Sequence, residues 1–295
     1  MKKFKILFLF LLTVFLQNCD NTDESIDALE DPTTLSPSEV ISEGANATPY
    51  QFDSDWGANS YWASTIVSTY WTNILKGHHA NAASTFGISE PRLYLIGGSG
   101  SNNAKSYHAG YVLWGEQFLD LANNYGTTAV AYIAAHEVGH QVQFQNNYPS
   151  KRYQTNTIEL QADCFAGYYV RRKVTANSTN HSRAANFAYS IGENITNGTH
   201  GSKGQRRAST RIGLYLGKWN LTNAQIDYYF DRYYANLIYP GTFNNYYGKD
   251  SQLTKVEKEI FDFFSTKTEE LSRIYNEEMS DEEYFKDLKL DPIQS

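Results

Sequence analysis

An α+β fold, mostly helical with one small sheet, is what the sequence predicts, and three observations carry that expectation. Apolar residues recur at helical spacing in stretches that run from Thr128 to Asn236, separated by short turn segments. Two short apolar runs between Pro91 and Trp114, the first bounded by Pro and Gly, read as strands. At 295 residues with 15% aromatic side chains, the chain can bury one substantial core with a small appendage. A formal net charge of −7 and the lack of a long basic run argue against nucleic acid as a partner.

The N-terminus reads as an export signal. Met1-Lys-Lys is positive, and Ile6 to Leu16 is an apolar run interrupted only by Thr13. That run is shorter than the roughly 20 residues a spanning helix needs, so residues 1–18 are expected to be a signal peptide. Leu16-Gln17-Asn18-Cys19 resembles the lipobox of bacterial lipoproteins. The resemblance implies lipidation at Cys19 and a lipid anchor to a membrane of the bacterial cell envelope. Asn18 stands where that pattern carries a small residue, which leaves a plain signal peptide or an uncleaved anchor open. The other cysteine, Cys164, lies in an Ala- and Phe-rich stretch and reads as a buried inert thiol. Residues 19–48 are rich in Asp, Glu, Ser, Thr and Pro and are expected to form a disordered tether.

The folded domain is expected over residues 49–240, with a charged helical tail at 241–295. Trp62, Ile66, Tyr70 and Ile74 recur at helical spacing and predict an amphipathic helix over Trp56–Leu75. Pro91–Gly97 and Tyr107–Trp114 are the two strands, and Gln117–Asn123 is a short helix. Thr128–Gln145 reads as a helix with a Thr cap that stops before Pro149. Gln154–Lys173 is another, with three basic residues in its last turn opposing the negative end of the dipole. Further helices are expected at His181–Ile195, Ser202–Leu216 and Thr222–Asn236. Leu253–Glu278 is charged and helical in pattern, and the acidic end reads as solvated and partly mobile.

The chemistry concentrates in His136-Glu137-Val138-Gly139-His140, an HExxH spacing inside a helix. Residues four apart lie one turn above each other, so both imidazoles project from one face and can grip one ion. Glu137 is rotated about 100° from His136 and can reach a water beside the metal without being a ligand. A chain of ordinary composition and this length shows the spacing by chance about once in a hundred, so the flanks matter. Val138 and Ile133 make the helix apolar, and unpaired histidines would be costly in a buried helix. Gly139 costs about 1 kcal/mol relative to Ala in a helix and makes sense if another backbone passes close by. A catalytic zinc site needs a third protein ligand. Glu159, 19 residues after His140, leaves room for a turn and a returning helix and is the candidate. Asp163 shares its face and is placed to accept the ring N–H of a ligand histidine. The small residues Ala162, Ala166 and Gly167 should let the two helices approach closely.

At these residues a resemblance becomes specific. Ala134-Ala-His-Glu-Val-Gly-His-Gln-Val-Gln143, Ile158-Glu-Leu-Gln-Ala-Asp-Cys-Phe-Ala-Gly-Tyr168 and Thr199-His-Gly-Ser-Lys-Gly-Gln-Arg206 resemble segments of the neutral zinc metallopeptidase family of bacteria. The similarity spans Arg92 to Tyr215 in the family's order, while the lipoprotein-like start and the C-terminal stretch depart from it. It implies a zincin-like, gluzincin-type fold, with a small sheet over the active-site helix and a second helix supplying the glutamate. It also implies one catalytic Zn2+, peptide or protein substrates, and a cleft role for His200. As a donor to the developing oxyanion, His200 would join Glu137 as a catalytic residue; a purely loop-stabilising role is the alternative.

The remaining histidines carry weaker expectations. His78 and His79 read as exposed loop residues, His181 as solvated, and His108 as a neighbour of a strand that could edge the cleft. The strand around Tyr111–Trp114 is expected to offer a sheet edge to an extended peptide. Two other functions fit the same motifs: a non-catalytic envelope-binding lipoprotein, and a zinc amidase acting on cell-wall peptides.

Overall fold

The computed structural model describes residues 56–148, 155–174, 178–194, 199–238 and 254–286. The expected signal peptide, Cys19 and the tether lie outside the described residues. The fold is α+β and mostly helical, with a four-stranded sheet. Strands β1 (Tyr61–Ala63), β2 (Arg92–Gly97), β3 (Ala104–Tyr107) and β4 (Tyr111–Gly115) are ordered β1-β2-β4-β3. β2 and β4 run parallel, with Leu93 opposite Val112 and Leu95 opposite Trp114; the two outer pairings are antiparallel.

Strand alternation sends side chains to two separate clusters. Leu93 and Leu95 of β2 join Trp114 and Ala104 in the main core beneath the helices. Tyr94 and Ile96 turn the other way and meet Trp56, Tyr111 and Leu113. Burial on both faces suits the parallel pair at the centre. The expected single strand Tyr107–Trp114 is in fact a hairpin. The chain reverses between Tyr107 and Tyr111, where Gly110 takes φ +83°, a conformation glycine reaches at little steric cost.

The first helix also differs from expectation. α1 spans Thr69–Thr85 and begins at Ser68, whose side chain accepts from the Trp71 N–H. Trp62 and Ile66 precede that cap, so their helical spacing was accidental, and Tyr61–Ala63 pairs with β2 instead. The helix runs on through His78 and His79, neither of which is a loop residue. His79 is buried with Nε2 at 2.8 Å from the carbonyl of Pro91, and Nδ1 of His78 lies 2.9 Å from the hydroxyl of Tyr169.

After α2 (Glu116–Asn123), α3 (Thr127–Asn146) forms the centre of the molecule. Every residue from Thr128 to Gln143 is buried, which is why this helix shows no polar stripe. Its start is not capped by a threonine side chain: Gly126, at φ +92°, is the N-cap. It ends on Asn147 in the left-handed region, a common helix stop. α4 (Thr155–Lys173) and α5 (Ser178–Ser190) pack against it, α6 (Lys203–Leu216) packs on α4, α7 (Asn223–Ile238) packs on α4 and α6, and α8 (Lys255–Ser265), α9 (Thr268–Tyr275) and α10 (Asp281–Lys286) follow. Ile260, Phe264 and Leu271 from this last group enter the main core, and Tyr284 is buried although the surrounding sequence is acidic.

Close helix contacts use particular small residues. A Cβ on Gly139 would stand 3.1 Å from Cβ of Phe165 and 3.4 Å from Cα of Ala162, so the α4 backbone does pass tightly by α3 there. Gly167 serves a different neighbour from the one expected. A Cβ on it would collide with the carbonyl of Thr210, and one on Gly213 with that of Cys164, so this pair brings α4 against α6. Among the described residues no helix is long and apolar enough to cross a membrane.

Candidate metal centre

Two helices build the centre. His136 on α3 pairs with Asp163 on α4, and Gln143 with Ile158, so the helices run antiparallel and α4 lays its glutamate beside both histidines. Nε2 of His136 lies 3.1 Å from Nε2 of His140, 3.3 Å from Oε2 of Glu159, and Oε1 of Glu159 lies 3.4 Å from Nε2 of His140. All three residues are buried, and their ligand atoms fall within 4.8 Å of one another. The group could hold a metal ion.

Hydrogen bonds around the rings test that fit. Nδ1 of His136 donates to Oδ1 of Asp163 at 2.9 Å, and Nδ1 of His140 donates to Oε1 of Gln143 at 2.8 Å. With both Nδ1 atoms protonated, both Nε2 atoms present lone pairs to each other and to a carboxylate. Oε2 of Glu159 is buried and finds no hydrogen bond among the described residues. Three converging lone-pair donors repel one another unless a cation stands between them, so the residues fit a metal.

The electrostatics of the metal-free chain say the same. Burial works to lower the pKa of His136, but the Asp163 hydrogen bond and the nearby Glu159 outweigh it and lift it to about 10. A proton thus takes the cation's place. His140 is also raised, burial again being overcome by Glu159. Burial alone would raise Glu159, yet His140 and His136 hold it well below the usual carboxylate range. Asp163 is lowered against the pull of burial by Arg206, whose Nη2 donates to Oδ1 at 2.8 Å, and by His136 and Tyr132.

Glu137 is different. Burial pushes its carboxyl up, opposed by the two histidines, and its Oε2 has no hydrogen-bond partner among the described residues. The sheet is fastened to the helix at this point. Ser106 of β3 donates to the Glu137 carbonyl at 2.7 Å, and Gln141 donates to the carbonyls of Tyr107 and Tyr111. β4 lies between β2 and β3, so Tyr111–Trp114 offers no edge; among the described strands the edge on this side is β3.

His136, Glu137 and Glu159 open onto a cavity of about 1030 Å³. His200 and Arg206 line the same cavity, so the structure gathers His200 into the neighbourhood of the metal group. Glu193 holds its ring, with Oε1 at 2.9 Å from Nδ1 and a further bond from the His200 N–H. His108 stays outside: it sits in the β3–β4 turn, stacked on Phe144 at 3.9 Å. His181 is not solvated but buried, within the helix α5 rather than at the start of a loop. The motifs did not disclose Tyr132, Gln143, Gln161, Glu193 or Asp227 as parts of the site's surroundings. Gln143, three residues beyond His140, and Tyr132, four before His136, share helix faces with the histidines and carried a signal that spacing could have found. Comparison with family models, with curated proteins and with solved structures finds no match to this chain.

Proposed function

We propose that the chain is a zinc-dependent metallopeptidase of zincin-like fold. One observation carries the reading: two imidazoles and a carboxylate converge with their ligand atoms within 4.8 Å of one another, His136 and Glu159 opening onto a large cavity and the buried carboxyl of Glu137 standing beside them. Two histidines with one glutamate, leaving a position open, is a donor set of catalytic zinc sites, and His136, His140 and Glu159 would hold the ion. When bound, zinc supplies Lewis-acid chemistry, polarising a carbonyl and acidifying water.

The chain's own residues do the rest. Glu137 takes the proton of the attacking water and returns it to the leaving amine; a carboxyl raised by burial is suited to both tasks. Asp163 fixes the ring of His136 in the tautomer that presents Nε2. His200, held at Nδ1 by Glu193, is the candidate donor, from Nε2 and only with hydrogen on both ring nitrogens, to the oxygen that becomes negative as the peptide carbon turns tetrahedral. β3 receives an extended peptide by main-chain hydrogen bonds, alongside the helix that carries Glu137. The sequence before residue 20 supports a place in the bacterial cell envelope, attached through lipid on Cys19.

Purified protein loaded with zinc should cleave members of a mixed peptide library, lose that activity to a chelator and regain it with zinc. A purified cell wall digested in parallel should be untouched. Products from the wall alone would mean an amidase, and no products from either would mean a binding protein.

A further inference from the structure

The two histidines of the candidate centre are held by unlike means, and the second means reaches much further than the first. Gln143 donates from Nε2 to the carbonyl of Ile158 at 2.7 Å and to Oε1 of Gln161 at 2.9 Å. A main-chain carbonyl can only accept, so the amide orientation of Gln143 is fixed without reference to any proton elsewhere. Both of its N–H bonds are thereby spent, and the end facing His140 is the oxygen. Gln161 in turn donates from Nε2 to Oδ1 of Asp227 at 2.6 Å, which leaves its own oxygen to accept from Gln143. All three side chains are fully buried, on α3, α4 and α7.

We infer that Gln143, Gln161 and Asp227 form a positioning relay that holds the His140 ring with Nδ1 protonated and Nε2 aimed at the metal, and so couples α7 to metal affinity. The inference rests on the reading of His136, His140 and Glu159 as a metal centre, and it adds residues that touch neither metal nor substrate. The relay works by direction. Each amide has one donor end and one acceptor end, and a carbonyl at one branch and a carboxylate at the far terminus set every bond the same way. Low surrounding polarity strengthens such a chain and makes any reversed member costly. Asp163 does the corresponding work for His136 in a single step. The relay is the longer counterpart: 66 residues of sequence separate Gln161 from Asp227.

The test uses the full chain, with zinc and cobalt(II) as probes and no substrate. Competition with a chelator should show Gln143→Leu binding metal about 10- to 100-fold more weakly than wild type, the usual scale for a group that orients a ligand. Gln161→Met should weaken binding less, and its effect should vanish in the Gln143→Leu background, because it acts only through Gln143. An equal Gln161→Met effect in both backgrounds, or unchanged affinity in both single variants, overturns the relay. A wild-type chain that binds neither ion overturns the metal centre itself, and the relay with it. Ring-nitrogen NMR on histidine-labelled, zinc-loaded wild type needs no variant. It should show His140 protonated at Nδ1 and metallated at Nε2, and the opposite assignment refutes the relay even if a variant fails to fold.

Discussion

Charge is buried in two regions of this molecule, and the two are built on opposite plans. Where α6 meets the C-terminal helices, Arg211 is fully buried yet surrounded by partners. Its guanidinium bonds Glu270 at 2.7 Å, Tyr215 and the carbonyl of Tyr284, and lies 4.0 Å above the Tyr284 ring. Arg207 repeats the pattern with Asp281, Asn186 and the ring of Tyr189. At the candidate metal centre, which Arg206 of the same α6 borders through Asp163, two imidazole nitrogens and a carboxylate converge. In the first region each buried guanidinium meets an acid and an aromatic ring; in the second, two imidazole nitrogens and a carboxylate gather in a group that could hold a metal ion. Buried acid–base pairs of the first kind hold helices together; converging ligand groups of the second kind mark a candidate site.

That contrast can be broken most severely at Glu137, which takes part in neither plan. Glu137→Gln should leave zinc bound and cut peptide hydrolysis by at least about a thousandfold, near the upper part of the range for a general base. Steady-state rates on a zinc-loaded preparation decide it, and activity above that level removes Glu137 from its role. His200→Ala comes next. It should lower turnover by about 10²- to 10³-fold, the cost of one oxyanion donor, with melting temperature and zinc affinity unchanged. A loop-stabilising residue would give the reverse, a lower melting temperature with normal kcat.

A paired experiment compares the two regions directly. Asp163→Ala should weaken zinc binding by roughly 10- to 100-fold. Arg211→Met should leave zinc affinity unchanged and lower stability by about 1 kcal/mol or more, since the buried Tyr284 carbonyl loses its donor while Glu270 keeps Lys267 and Tyr215. Chelator competition and urea unfolding on both variants would show the two effects crossing. Parallel losses in both measurements would dissolve the distinction.

The sequence disclosed the centre because its main parts lie within single helices. His136, Glu137 and His140 share one turn, Glu159 and Asp163 another, and helical spacing is a short-range rule that composition cannot blur. The relay behind His140 was invisible because it joins three helices, and a glutamine or an aspartate in a helix has many ordinary reasons to be there. Glu193 was hidden because no helical spacing links it to His200, seven residues on. Among the elements, α3 was clear from its Ala-rich start and the stop before Pro149 and α4 from its basic last turn, whereas β1 was read as helix because Trp62 and Ile66 happen to stand four apart. His79 and His181 were misplaced by their small, polar neighbours. Whether such a residue faces solvent depends on what packs on the helix, and that is a tertiary fact.

The smallest effect expected is in pH. In the metal-free protein the pKa of His136 is raised from 6.5 to about 10. A group raised on folding stabilises the fold fully below its unfolded value, and that contribution is lost as pH climbs through the folded value. A bound metal would replace the proton. The melting temperature of the metal-free chain should therefore fall more steeply between about pH 6.5 and about 10 than that of the zinc-loaded chain, while zinc affinity rises over the same window. Parallel slopes would mean that His136 carries no such proton.

Metal content of the wild type and of Glu159→Ala, measured after identical equilibration with zinc and removal of loosely bound ion, tests the central claim most directly. The account predicts one zinc per wild-type chain and none retained by Glu159→Ala, with both proteins folded by circular dichroism. Equal zinc in the two, or none in the wild type, would contradict it.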